Sequence, residues 1–218
     1  MKLGIFGGTF DPIHLGHLRT AVEIGQELVL EKVFLIPSAS PPHKTEDPVS
    51  PFQLRLTMAK LAIGDSQLLE VLDLEGKRPG LSYSIETLRE FHSTFGPEQD
   101  FYFLLGVDAF LEIKTWKEYV KLFDYAHFVI IPRPGYQDGT LKPFLMNLGL
   151  NFEETKDPDQ FMFPSGKRIV FKATTFIDIS STRIRQMVAA GKSIRYLVPE
   201  AVRDFIIKKR LYSHNGNN

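Results

Sequence analysis

Lys2-Leu-Gly-Ile-Phe-Gly-Gly-Thr-Phe-Asp-Pro-Ile-His-Leu-Gly-His17 packs a strand, a tight turn, two histidines and the start of a helix into sixteen residues. Leu3, Ile5 and Phe6 make a short apolar run of the kind a buried parallel strand shows, and Gly7-Gly8 removes side chains where the backbone must turn or approach a ligand closely. Pro12 fixes its own φ and pushes Asp11 out of the α region, so the helical pattern begins near His14. His14 and His17, three apart, share one helix face at the end where the helix dipole favours anions.

Outward from this stretch, Leu15 to about Leu28 reads as a helix, with Leu18, Val22 and Gly25 inward, and Lys32 to Pro37 as a second strand. Strand, helix and strand within about forty residues form a right-handed βαβ unit by default. Ser38 to Pro48, rich in proline and serine, is a loop leaving the carboxyl end of the second strand, where ligands of open α/β sheets lie. Pro51–Ile63 reads as a helix with Phe52, Leu56, Ala59 and Ile63 inward, and Leu68–Leu74 as a half-buried strand ahead of a turn at Glu75–Gly80. Ser82 or Ser84 caps an amphipathic helix to Phe91. Asp100–Leu105 and Tyr125–Pro132 are buried strands, and Arg168–Ala173 is another. Between Arg133 and Lys167 the pattern weakens to one short helix in a long excursion. Helices close the chain from about Asp178 to Ala190, stopped by Gly191, and from Val198 to Lys209, with Pro199 in the first turn.

These elements predict an α/β fold: an open, mainly parallel Rossmann-like sheet with helices on both faces and a small C-terminal helical part at about 180–210. Residues 1–212 are expected to form a single domain and 213–218 a tail. Lys+Arg and Asp+Glu are 26 each among 218 residues, so no overall charge steers the protein to nucleic acid or to an anionic membrane, and phosphate binding must be local. The absence of cysteine excludes disulfides, thiolate metal ligands and a thiol nucleophile. With no signal-like N-terminus and no run of eighteen apolar residues, a cytoplasmic location is expected. GxxxxGK[ST], a GxGxxG after the first strand and GxSxG are all missing, which argues against a P-loop enzyme, a dehydrogenase-type dinucleotide fold and a serine hydrolase elbow.

His14 and His17 admit three readings: a metal pair with Asp11 as the near third ligand, histidines of the core, or donors to phosphate oxygens above a helix start. In Ile179-Ser-Ser-Thr-Arg-Ile-Arg185, Ser180 can cap a helix while Ser181, Thr182 and free N–H groups face what lies above it, and Arg185 adds a guanidinium fork one turn on. An ordinary capped helix with a basic face would look the same. Pro41-Pro-His-Lys44 puts His43 and Lys44 on a rigid loop, as a phosphate contact or as solvated side chains. Gly106-Val-Asp108 supplies a carboxylate at a strand end of the kind that bonds ribose hydroxyls, and the sole tryptophan, Trp116, is either a stacking face for a flat ring or a core residue.

Gly8-Thr-Phe-Asp-Pro-Ile-His-Leu-Gly-His17 resembles the GxFDPxHxGH signature of nucleotidyltransferases that carry a (T/H)xGH motif on a Rossmann-like sheet, and Ile179–Arg185 resembles their ISSTxIR motif. From Lys2 to about Tyr212 the chain is similar to the bacterial nicotinate-nucleotide adenylyltransferase family. The resemblance implies ATP and nicotinate mononucleotide as substrates, Mg²⁺ carried by ATP oxygens and water with no dedicated protein metal site, and no nucleic acid or membrane partner. The sequence leaves a homo-oligomer open. The resemblance implies ATP binding by Gly7, Gly8, Thr9, Phe10, His14, His17, Gly106, Asp108, Ile179, Ser180, Ser181 and Arg185, with His17, His14 and Arg185 catalytic. Asp11, His43, Lys44, Tyr83, Ser84 and Trp116 are implied for the mononucleotide; the family more often has Ser-Tyr-Thr where this chain has Ser82-Tyr-Ser84. Sister activities on nicotinamide mononucleotide, phosphopantetheine or a cytidylyl donor, and a non-catalytic nucleotide sensor, are the alternatives.

Overall fold

Apolar residues alternate along the central strands, and the alternation resolves into two separate cores. Leu3 and Ile5, Phe34 and Ile36, Phe101, Phe103 and Leu105, and Phe128 and Ile130 belong to one; Phe6, Val33, Leu35, Leu104 and Val129 belong to the other. Since successive strand side chains point to opposite faces, both faces of this sheet are covered. The strands are therefore apolar throughout rather than half polar.

The computed structural model describes residues 1–41, 49–132 and 141–213. Its parallel strands are β1 (Lys2–Gly8), β2 (Lys32–Pro37), β3 (Leu69–Val71), β4 (Asp100–Gly106), β5 (His127–Ile131) and β8 (Arg168–Phe171). Strands β6 (Glu153–Glu154) and β7 (Gln160–Met162) run antiparallel beyond β8, and the order across the eight-stranded sheet is β3-β2-β1-β4-β5-β8-β7-β6. Helices α1 (Leu15–Glu27) and α2 (Phe52–Ile63) lie on the face that also receives α7 (Ser181–Ala189) and α8 (Glu200–Lys209); α3 (Ser84–Phe95), α4 (Val107–Leu111), α5 (Tyr119–Tyr125) and α6 (Leu141–Asn147) cover the other.

The expected Rossmann-like α/β architecture, with helices on both faces and a helical C-terminal part, is what is found. Three local expectations need correction. The segment before Lys167 is not a plain excursion: Phe161 and Phe163 bury into the core, and that anchoring forms β7 on the sheet edge. Helix α3 begins at Ser84 behind Tyr83, with no side-chain cap, so neither Ser82 nor Ser84 serves as one. Gly7 and Gly8 still pair with Ile36 and Pro37 inside β1, and the chain turns only after them. Among the described residues no helix is long and apolar enough to cross a membrane.

The chain passes from β1 outward through β2 to β3, then returns to the other side of β1 with β4. The carboxyl ends of β1 and β4 thus meet at the point where the winding reverses, the place where open α/β sheets leave a crevice.

Candidate active site

A cavity of about 420 Å³ opens at that reversal, between Gly7-Gly8 at the end of β1 and Leu105-Gly106 at the end of β4. Gly8 is glycine for a local reason: a Cβ there would stand 2.9 Å from the Phe10 ring. Phe10 is 2% exposed, holds a left-handed φ of 49°, and meets His17 edge-on at 5.1 Å between centroids. The corner is therefore fixed by an aromatic side chain folded back beneath the strand end.

His14 stands at the N-cap of α1 and its ring stacks on that of His17, centroids 3.6 Å apart. The His14 backbone N–H donates to Nδ1 of His17 at 3.3 Å. A neutral imidazole that accepts at Nδ1 carries its proton on Nε2, which puts the ring proton of His17 on that nitrogen. Burial lowers the pKa of His14 to about 4, which makes it a neutral donor or acceptor at pH 7 rather than a cation.

The C-terminal motif folds back onto this corner. Ser180 caps α7 by accepting the Arg183 N–H at 3.2 Å. One residue on, the Ser181 hydroxyl donates to the Pro12 carbonyl at 2.9 Å, and Arg185 Nη1 donates to the Asp11 carbonyl at 2.8 Å. Two stretches about 170 residues apart in sequence are thus joined by hydrogen bonds beside the histidine pair.

Asp11, expected to face the mononucleotide, is 3% exposed and has both oxygens engaged. Oδ2 accepts the Ser50 N–H at 3.0 Å and Oδ1 accepts the Tyr212 hydroxyl at 2.6 Å. Its carboxylate is a hub between the corner, the start of α2 and Tyr212, and among the described residues it forms no three-residue metal cluster with the histidines. Burial first, and the Asp11 charge second, push the Tyr212 phenol far up, so it remains an O–H donor.

Sequence patterning gave no sign of Arg55. It is 1% exposed within α2, and its guanidinium donates to the carbonyls of Thr9 (2.7 Å), Ser38 (2.7 Å), Ser50 (2.8 Å) and Ala39 (3.2 Å). It staples the loops leaving β1 and β2 from below. Five donors in a planar fork are what such a cluster of carbonyls needs, and only arginine has them.

The other end of the cavity is aromatic. Tyr83, Ser84 and Trp116 line it with Phe103 and Lys117, and Trp116 meets Phe103 edge-on at 6.3 Å. Glu75 is also in the wall, 8% exposed, accepting the Thr87 hydroxyl at 2.7 Å. Gly106 lines the cavity, whereas Asp108 sits exposed on the first turn of α4, off the cavity wall. His43 and Lys44 lie outside the described residues. Among the described residues no three His, Asp or Glu side chains converge as a metal cage.

The cytidylyltransferase-like family model matches residues 5–187. A probable nicotinate-nucleotide adenylyltransferase of Desulfatibacillum aliphaticivorans is 44% identical, covering 97% of this chain and all of that protein. One of Geobacter sulfurreducens is 40% identical over 99% of this chain and all of its own length. The chain belongs to the nicotinate-nucleotide adenylyltransferase family. In fold it is similar to the Plasmodium falciparum nicotinic acid mononucleotide adenylyltransferase complexed with NaAD, with a TM-score of 0.74 at 22% identity over 97% of each chain. Both family motifs of this adenylyltransferase, Gly8–His17 and Ile179–Arg185, therefore lie on one flank of the sheet reversal, and the aromatic cavity lies along it.

Proposed function

We propose that the protein joins the adenylyl group of ATP to nicotinate mononucleotide, releasing pyrophosphate and forming nicotinate adenine dinucleotide. The observation that carries this reading is the bonding of Ser181 and Arg185 to the Asp11-Pro12 backbone, which brings the two motifs together beside one histidine pair. Tyr83 and Trp116 offer flat faces for a pyridine ring in the neighbouring cavity, and the relatives' names point to the same substrate.

In the reaction, an oxygen of the mononucleotide 5′-phosphate attacks the α-phosphorus of ATP in line. The new P–O bond forms as the bond to the bridging α–β oxygen breaks, and pyrophosphate leaves with that electron pair. The nucleophile is already an anion, so no general base is required. The protein's contribution is positioning and neutralisation of phosphate charge.

His17 donates from Nε2 to a non-bridging oxygen of the α-phosphate, where charge builds in the transition state. Neutral His14 and the N-terminus of α1 support it, and Ser181, Arg185 and the start of α7 receive the β- and γ-phosphates. The nucleotide would enter as its Mg²⁺ complex, the ion carried with the triphosphate as part of the substrate. Gly7, Gly8, Thr9, Phe10, Gly106, Ile179 and Ser180 supply backbone and surface to ATP; His43, Lys44, Tyr83, Ser84 and Trp116 serve the mononucleotide, and Asp11 acts on it through the loop it holds.

The test is pyrophosphate release with Mg²⁺·ATP and, in separate reactions, nicotinate mononucleotide, nicotinamide mononucleotide or phosphopantetheine. Nicotinate mononucleotide is expected to give the highest kcat/KM. A preference for phosphopantetheine, or binding of ATP without product, refutes the reading.

A further inference from the structure

Only two charged side chains line the cavity among the described residues, Glu75 and Lys117. Glu75 belongs to a charged cluster: its Oε1 accepts from Thr87, Arg78 Nη2 lies 3.7 Å away, and Arg78 in turn pairs with Glu90 at 3.3 Å. Its other oxygen, Oε2, is buried without a protein hydrogen bond. The wall of the ring pocket thus holds one carboxylate with an oxygen that no protein donor serves.

Lys117 stands next in the chain to Trp116 and is exposed at the rim. Its ammonium lies 4.6 Å from the centroid of the Tyr83 ring and donates to Glu86 at 2.5 Å. An ammonium has three donors. Glu86 takes one, leaving two for a ligand on the Tyr83 and Trp116 side.

The pyridine ring of a mononucleotide is cationic at its ribosylated nitrogen. With a carboxylate at position 3 the ring system is a zwitterion of zero net charge; with an amide it keeps its full positive charge. A pocket holding the Glu75 anion alone favours the amide form. Adding a cation where the ring substituent emerges makes the pocket complementary to the zwitterion.

We propose that Lys117 is the specificity residue that makes this site prefer the acid over the amide, by donating to the ring carboxylate while Glu75 faces the pyridinium charge. The inference rests on the adenylyltransferase reading above and refines it. Arginine conserves the cation and the donors; methionine conserves the stem over Tyr83 and loses both.

The experiment compares kcat/KM for nicotinate and nicotinamide mononucleotides, each with saturating Mg²⁺·ATP, in wild type, Lys117→Met and Lys117→Arg. The acid-to-amide ratio should fall about tenfold in Lys117→Met, the scale of one charge-assisted hydrogen bond at a solvent-facing position, and return in Lys117→Arg. Glu75→Gln should move the same ratio the other way, since it removes the anion. An unchanged ratio in Lys117→Met, or equal losses for both substrates that arginine does not reverse, overturns the assignment while leaving the activity standing. Wild-type protein that makes dinucleotide from neither mononucleotide overturns both.

Discussion

Replacing Arg55 by lysine tests the staple beneath the two strand ends. The guanidinium spans four backbone carbonyls, three of them at 2.7–2.8 Å, and is cut off from water. Its burial costs free energy, and desolvation accordingly lowers its pKa; the carbonyl bonds offset that cost. A lysine ammonium keeps the charge but has three donors on one point, so it cannot serve carbonyls distributed around a fork. At least two of them would be left without a donor, at roughly 1–3 kcal/mol for each buried group stranded. The expected destabilisation is roughly 2–6 kcal/mol. For a chain of this size that corresponds to a fall in Tm of about 4–24 °C.

Differential scanning calorimetry of wild type and Arg55→Lys measures it. Because Thr9 and Ser38 also line the cavity, KM for the mononucleotide should rise at temperatures where the variant is still folded. A Tm within about 2 °C of wild type, with unchanged KM, would refute the claim that this arginine shapes the site.

Three further outcomes follow from the same geometry. Tyr212→Phe removes the hydroxyl that donates to Asp11 Oδ1 at 2.6 Å while keeping the ring; stability in urea should fall by about 1.5–3 kcal/mol, and an unaltered midpoint would show that the Asp11 hub does not need the C-terminus. His14 and His127 are both lowered to about 4, by desolvation first, so the unfolded chain binds up to two more protons between pH 4 and 6.5. Stability should therefore rise with pH across that window, by up to about 2.7 kcal/mol per unit, and His127→Gln should remove about half the slope; a flat profile contradicts the burial of both rings. His17→Ala should lower kcat by about 10²-fold or more with little change in the Kd for ATP, and a loss confined to Kd would reassign His17 to ground-state binding.

Much of the site could be read from the chain because its signals are local. The spacing of His14 and His17, the Asp-Pro corner and the Ser180 cap are properties of a few consecutive residues, and each sits at an element boundary. What could not be read was what those residues touch across the fold. The sequence leaves Asp11 open as a near third metal ligand or a mononucleotide contact; the partners it has in the fold, Ser50 and Tyr212, are 39 and 201 residues away. Nothing in the spacing of residues 51–63 marks Arg55, since periodicity cannot show that four carbonyls converge on it. The strands β6 and β7 escaped because they are two and three residues long, held by Phe161 and Phe163 rather than by any alternating pattern. In the sequence Glu75 is part of a turn and Lys117 carries no signal, and only the cavity between β1 and β4 gives them a common setting.

The proposed reaction needs one corner of the fold to bind one chain of phosphates. A crystal structure with nicotinate mononucleotide and a non-hydrolysable ATP analogue with Mg²⁺ tests it most directly. The α-phosphate should lie within hydrogen-bond distance of His17 Nε2, with the outer phosphates at Ser181 and Arg185 and the pyridine ring on Trp116. Phosphates bound away from the His14–His17 pair, or a triphosphate that reaches neither Ser181 nor Arg185, would contradict it.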